Sequence, residues 1–150
     1  MRKLLVPVGL ALLLTAATVL SVSASEASRR VTVDVHSAFD SPTGTFTARG
    51  PICGSGITSD VVIVTSKGSR LFFDDRKTFT CADNSGTFTF HILATVRPCD
   101  PLDHGIWMVV GGTGRYEDLR GAGADIGRYF PGDSCNANGI DDIFIGVMRS

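Results

Sequence analysis

The stretch Ile57-Thr58-Ser59-Asp60-Val61-Val62-Ile63-Val64-Thr65-Ser66-Lys67-Gly68-Ser69-Arg70-Leu71-Phe72-Phe73-Asp74-Asp75-Arg76-Lys77-Thr78-Phe79-Thr80-Cys81 decides how this chain folds. Two runs rich in Val, Ile, Thr and Phe flank Gly68-Ser69, a pair suited to a two-residue hairpin turn that needs positive φ at its glycine. With that turn in place Lys67 faces Arg70, and each further pair follows by one outward step on both strands. Cys81 then lies opposite Gly56, close in sequence to Cys53.

Outward from the hairpin the pattern recurs, giving strands over 31–38, 44–50, 57–67, 70–81, 86–97, 105–111, 120–128 and 140–148. Clear punctuation separates them: Ser41-Pro42-Thr43, Asp83-Asn84-Ser85-Gly86, and the loops 98–104 and 131–139. Phe88, Phe90, Ile92, Ala94 and Val96 alternate with Thr87, Thr89, His91 and Thr95, the signature of a half-buried antiparallel strand. Eight strands are the number that closes a small barrel. The expected fold is all-β, an eight-stranded antiparallel up-and-down barrel. Val61 to Val64 are apolar on both faces, so this strand is expected to be covered on both sides, on the outside by another segment or another subunit.

In a meander the turns alternate between the two ends. The loops carrying Cys99 and Cys135 fall at one end, Cys53 and Cys81 at the other. Of the three possible connectivities this selects Cys53 with Cys81 and Cys99 with Cys135, because any other pairing bridges the barrel length, beyond the ~7 Å Cα limit. No C-x-x-C occurs, which speaks against structural zinc.

At 150 residues, 43% hydrophobic and 19% charged, the chain is sized for one domain. Its 14 basic and 15 acidic residues give a net charge of -1 with no basic run, which excludes the cationic footprint of a nucleic-acid binder. Arg2 and Lys3 precede an apolar run from Leu4 to Leu20, followed by Val22-Ser23-Ala24. That is the layout of a signal peptide, expected over 1–24, with cleavage after Ala24 and Ala27 as second choice. An uncleaved anchor is the competing reading, and a lipoprotein lacks its cysteine, since the first is Cys53. The mature domain is expected to be 25–150, secreted, with no membrane span after cleavage. Four cysteines in an exported domain then read as two disulfides.

The segment Trp107 to Gly121 contains Gly111-Gly112-Thr113-Gly114-Arg115-Tyr116-Glu117-Asp118-Leu119-Arg120-Gly121. It resembles the G-G-[ST]-G-x-[FY]-x-x-[AL]-x-G stretch of allene oxide cyclases, plant dirigent proteins and bacterial secreted proteins with an allene-oxide-cyclase-like barrel. The repeated Gly-Thr-Phe-Thr at 44–47 and 86–89 is similar to strand openings in that superfamily. The resemblance implies a calycin-like barrel whose interior holds an apolar or aromatic small molecule, guiding an isomerase-type cyclisation or a stereoselective coupling without metal or organic cofactor. None of the family's functional polar residues maps onto this chain. The extended loops 98–104 and 128–139 depart from the plant pattern and leave the substrate class open. Physically the motif reads as a strand ending in a Gly-rich bend, one helical turn, and re-entry into the next strand. Gly111, Gly112, Gly114 and Gly121 serve backbone geometry, while Tyr116 and Leu119 share a side and plug one barrel mouth.

Residue by residue, catalytic signals are sparse. Gly54-Ser55-Gly56 is not a nucleophile elbow. His36, His91 and His104 stand apart. Asp74 and Asp75 point to opposite faces, so at most one is inside, and the adjoining Arg76-Lys77 suggests solvated charge or ion pairing. The run 133–142 has oxygen donors at calcium-like spacing, but Ile145 falls where a bidentate Glu belongs, so a disulfide-pinned turn is expected and no metal. The expected lining of the interior is Phe88, Phe90, Ile92, Trp107 and Val109, with an apolar small molecule as partner and homo-oligomer formation open. The competing expectation is that these side chains fill the barrel, leaving an interaction module that binds a protein or glycan through its outer face. A void of a few hundred Å³ with a mouth separates the two.

Overall fold

The computed structural model describes residues 27–150; the leader expected over 1–24 lies outside them. Eight antiparallel strands close on one another in sequence order: β1 (Arg29–Ala38), β2 (Gly44–Arg49), β3 (Ser55–Lys67), β4 (Arg70–Cys81), β5 (Gly86–Val96), β6 (Leu102–Gly114), β7 (Arg120–Phe130) and β8 (Gly139–Arg149), with β8 pairing back onto β1. Each strand therefore has two neighbours, and the meander has no free edge except where strands differ in length. The β3–β4 register is the expected one: Lys67 faces Arg70, and Gly56 faces Cys81. Gly68 takes φ 62°, the left-handed conformation that glycine adopts without steric cost.

Both disulfides pair as the parity of the turns requires, Cys53–Cys81 at one end and Cys99–Cys135 at the other, with Cα separations of 5.9 and 4.7 Å. The first ties the β2–β3 loop to the end of β4. The second ties the β5–β6 loop to the β7–β8 loop.

Two differences from the sequence reading have local causes. β6 runs on through Gly111, Gly112 and Gly114 instead of bending at Gly111. Its register against β5 shifts between Thr89 and Phe90, leaving Val110 as the extra residue of a bulge, which lets the glycine stretch keep pairing as far as Gly86. The expected helical turn is a run of tight turns at 115–118, closed by the amides of Tyr116 and Leu119 donating to the carbonyls of Thr113 and Tyr116. The second difference concerns Val61 to Val64, which are exposed on both faces, Val61 at 69%. β2 pairs only with Ser55 to Thr58 of β3, so the remainder of β3 has β4 alone as a neighbour and overhangs the short β2. The expected cover is therefore absent among the described residues, and the two-sided apolar run is an exposed overhang.

The interior is filled at one end. Phe46, Phe79, Phe88, Phe90, Trp107 and Phe144 pack there as stacked and edge-on pairs, with Phe79–Phe88 and Phe90–Trp107 ring centroids 4.7 and 4.4 Å apart. The Trp107 ring lies against Gly146 and Gly123; a Cβ on Gly146 would sit 2.6 Å from its Cζ2. The indole N–H donates to the Ala124 carbonyl at 3.0 Å. Tyr116 and Leu119 are fully buried at this end, and Tyr116 stands edge-on to Phe88. On the outside, Ile106, Met108, Val110, Ile126, Ile143, Ile145 and Val147 form an exposed apolar face across β6, β7 and β8.

The disulfides close sequence separations of 28 and 36 residues, which in the chain-entropy account corresponds to about 3–4 kcal/mol each. A Cys99→Ser/Cys135→Ser variant should lose roughly that much in urea unfolding while keeping the far-ultraviolet signature of the barrel. An unchanged midpoint would mean the two mouth loops are already held by their backbone hydrogen bonds.

Candidate functional site

Beyond the aromatic layer the barrel is hollow. Inward positions there carry small side chains, Ser37, Gly44, Thr58 and Ala94, which leave a cavity of about 470 Å³ open at the end stapled by Cys99–Cys135. Leu71, Phe73, Ile92 and Ile140 supply apolar wall, and the β1–β2 loop, with Phe39 and Pro42, lies at its rim.

The floor is charged. Lys77 projects inward from β4, 2% exposed, and its Nζ donates to Asp60 Oδ2 on β3 at 2.7 Å. Asp142 Oδ2 on β8 stands 3.6 Å away and Asp75 Oδ2 on β4 3.8 Å. Burial pushes the ammonium's pKa down, but attraction to Asp142, Asp60 and Asp75 outweighs it, so Lys77 is held above its usual value and stays charged. Beside it, ligand oxygens of Asp103, Asp125 and Asp142 lie within 4.8 Å of one another. Asp103 accepts the Gly127 amide at 2.9 Å and the Tyr129 hydroxyl at 3.1 Å. Burial, then the neighbouring Asp103 carboxylate, raises the Tyr129 hydroxyl pKa. One lysine thus faces five carboxyl groups.

A buried excess of negative charge is relieved by taking up protons. Desolvation, reinforced by Asp142 and Asp103, raises Asp125 to about 8. Desolvation against the pull of Lys77 leaves Asp75 at about 7 and Asp142 at about 6. Asp103 is raised too, chiefly by burial, with its hydrogen bonds to Tyr129 and Gly127 opposing. Within the described residues four buried side-chain polar atoms have no hydrogen-bond partner: Ser37 Oγ, Thr58 Oγ1, Asp75 Oδ1 and Asp125 Oδ1. All four belong to residues lining the cavity.

Of the five residues expected to line the interior, Ile92 lines the cavity, whereas Phe88, Phe90 and Trp107 lie in the packed aromatic layer and Val109 rests against it. The barrel is filled and hollow by halves. Asp75 is the inward member of its pair; Asp74 is outside, its Oδ1 accepting from His91 Nε2 at 2.7 Å. His36 pairs with Asp141 and stacks on Phe130 at the surface, so neither histidine reaches the cavity. The calcium-like run splits: Asp133 caps the turn at Cys135, and Asp142 belongs to the floor. Sequence reasoning missed Lys77, Asp60, Asp103, Asp125, Tyr129 and Asp142 as a set. The signal was their parity: Asp75 and Lys77 are in step with Phe73 and Phe79, Asp103 with Trp107, and Asp142 with Phe144.

Comparison with family models, curated proteins and solved structures finds no match to this chain. The resemblance therefore stands on residues 111–121 and the Gly-Thr-Phe-Thr repeats at 44–47 and 86–89.

Two outcomes follow from the floor. An unfolded aspartate titrates near 3.8, so up to their raised folded values Asp75, Asp125 and Asp142 keep protons that the unfolded chain has lost. Stability should therefore fall as pH rises from about 5 to about 9, and the melting temperature with it; Asp125→Asn should flatten the slope, whereas a rise over this range would contradict the assignment. Lys77→Met strands the carboxylates around it and should cost about 3–5 kcal/mol in urea unfolding at alkaline pH, and less near pH 5, where Asp75 and Asp142 hold protons.

Proposed function

We propose that this protein is a secreted barrel that binds one small molecule in its open half, the apolar part against Leu71, Phe73 and Ile92 and the polar end on the floor around Lys77 and Asp125. The observation that carries this reading is the convergence of four unpartnered buried polar atoms on one cavity of about 470 Å³. A volume of this order suits a drug-sized ligand, and apolar walls with a few converging polar groups are how such sites gain affinity and orientation together. Two disulfides are compatible with an extracellular location, and the leader-like N-terminus supports export. The hollow half favours this reading over a filled barrel acting only through its outer face.

The resemblance to allene oxide cyclases and dirigent proteins supports the same class of function, a shaped interior that orients its guest. An isomerase-type cyclisation there would draw on Asp125, a carboxyl that keeps its proton at neutral pH and can protonate a bound molecule.

A neutral fluorescent probe, N-phenylnaphthylamine, should brighten on binding the wild-type protein. Ala94→Trp, which fills the cavity from β5, should abolish that signal. Leu93→Trp, on the outer face of the same strand, should leave it intact. Equal binding by both variants would remove the cavity as the site.

A further inference from the structure

The floor has unequal claims on its one cation. Lys77 is shared among Asp60, Asp75 and Asp142, and Asp103 is occupied by the Gly127 amide and the Tyr129 hydroxyl. Asp125 is 4% exposed, lines the cavity and has an Oδ1 with no partner at all. A buried carboxyl oxygen without a donor costs free energy until a donor arrives, and a charged donor repays most. Beside Asp125, carboxylate oxygens of Asp103 and Asp142 lie within 4.8 Å and the floor holds a single ammonium, so a second cation can be taken up in exchange for a proton.

On the reading of the barrel as a binding protein, we propose that the cavity takes an organic ammonium, a protonated amine on an apolar body, whose N–H groups donate to Asp125 while its body lies against Leu71, Phe73 and Ile92. A hard divalent metal fits the floor less well. It requires six or more oxygens, both Asp103 oxygens are already engaged, and the Lys77 ammonium stands 3.6 Å from Asp142. A monovalent ammonium needs only two or three acceptors, and Thr58 Oγ1 and Ser37 Oγ add unpartnered hydroxyls to the same cavity. The apolar wall beside the floor has no use for a bare ion but matches the body of an amine.

Binding of an ammonium favours the ionised form of Asp125, so it expels the proton that this carboxyl otherwise retains. The groups facing it are Asp60 on β3, Asp75 and Lys77 on β4, Asp103 on β6, Tyr129 on β7 and Asp142 on β8. Affinity for an amine should therefore increase as pH rises toward about 8 and level off above it, while the amine itself stays protonated.

The test is calorimetric titration of the full mature protein with phenylbutylamine, phenylbutanol and phenylbutyrate, which share the phenylpropyl body and differ in the head group, in two buffers of different ionisation enthalpy. The amine should bind at least about tenfold tighter than the alcohol, with net proton release at neutral pH. Asp125→Asn should erase the preference for amine over alcohol and the proton release with it, while its far-ultraviolet signature and melting transition show that it is folded. If that variant does not fold, the proton count on the wild-type protein decides. Equal affinity for amine and alcohol would overturn the ammonium and leave the binding barrel standing. Preference for phenylbutyrate would overturn it in favour of Lys77 as an anion site, and calcium binding without amine binding in favour of a metal. If neither the series nor the naphthylamine probe binds, the proposed function fails with it.

Discussion

The Lys77 ammonium is the interaction on which the interior depends. It lies at the boundary between the packed and the hollow halves of the barrel and draws in carboxylates from β3, from β4 itself and from β8. A lone ammonium would not survive at this depth; it would lose its proton or drag water inward. Asp142, Asp60 and Asp75 hold it charged, and the remaining excess of negative charge is relieved at neutral pH first by the proton on Asp125 and then by partial protonation of Asp75. The polar floor is thus a coupled set, in which Asp75, Lys77, Asp125 and Asp142 each titrate away from their usual range because each answers to the others.

Side-chain volume divides the barrel. Inward positions near the Cys53–Cys81 end carry phenylalanines and Trp107, large enough to meet across the interior, and the glycines of β7 and β8 admit the indole ring between them. Toward the other end the inward positions of β1, β2, β3 and β5 carry Ser37, Gly44, Thr58 and Ala94, which cannot meet. An eight-stranded barrel has a nearly constant girth, so a drop in side-chain volume along its axis must appear as empty space. The aromatic half gives the rigidity, and the hollow half gives the place for chemistry.

Much of this was legible in the chain. The Gly68-Ser69 turn fixed a register that places Cys81 near Cys53, and the alternation of turns between two ends carried the second disulfide without any knowledge of three-dimensional coordinates. The candidate site was less legible. Aromatic alternation in β5 draws attention to Phe88 and Phe90, yet those residues fill the barrel, and the cavity begins one inward step further along, at Ile92. For Asp74 to Lys77 the sequence left solvated charge and ion pairing both open, because Arg76 and Asp74 alternate with Lys77 and Asp75; the structure pairs Lys77 with Asp60, Asp75 and Asp142. Following the parity of Phe73 and Phe79 through that cluster would have set Asp75 and Lys77 inside.

The sequence by itself determined the strand count, the antiparallel order and the cysteine pairing, because period-two patterning and turn residues act over a few neighbours and a disulfide needs only that two loops share an end. Only the tertiary structure decided which part of the interior is hollow and which carboxyls share one ammonium. Those depend on distances across the barrel between Asp60, Asp75, Lys77, Asp103, Asp125 and Asp142, residues up to five strands apart in the chain. Closure of β8 onto β1 is what brings them to one floor.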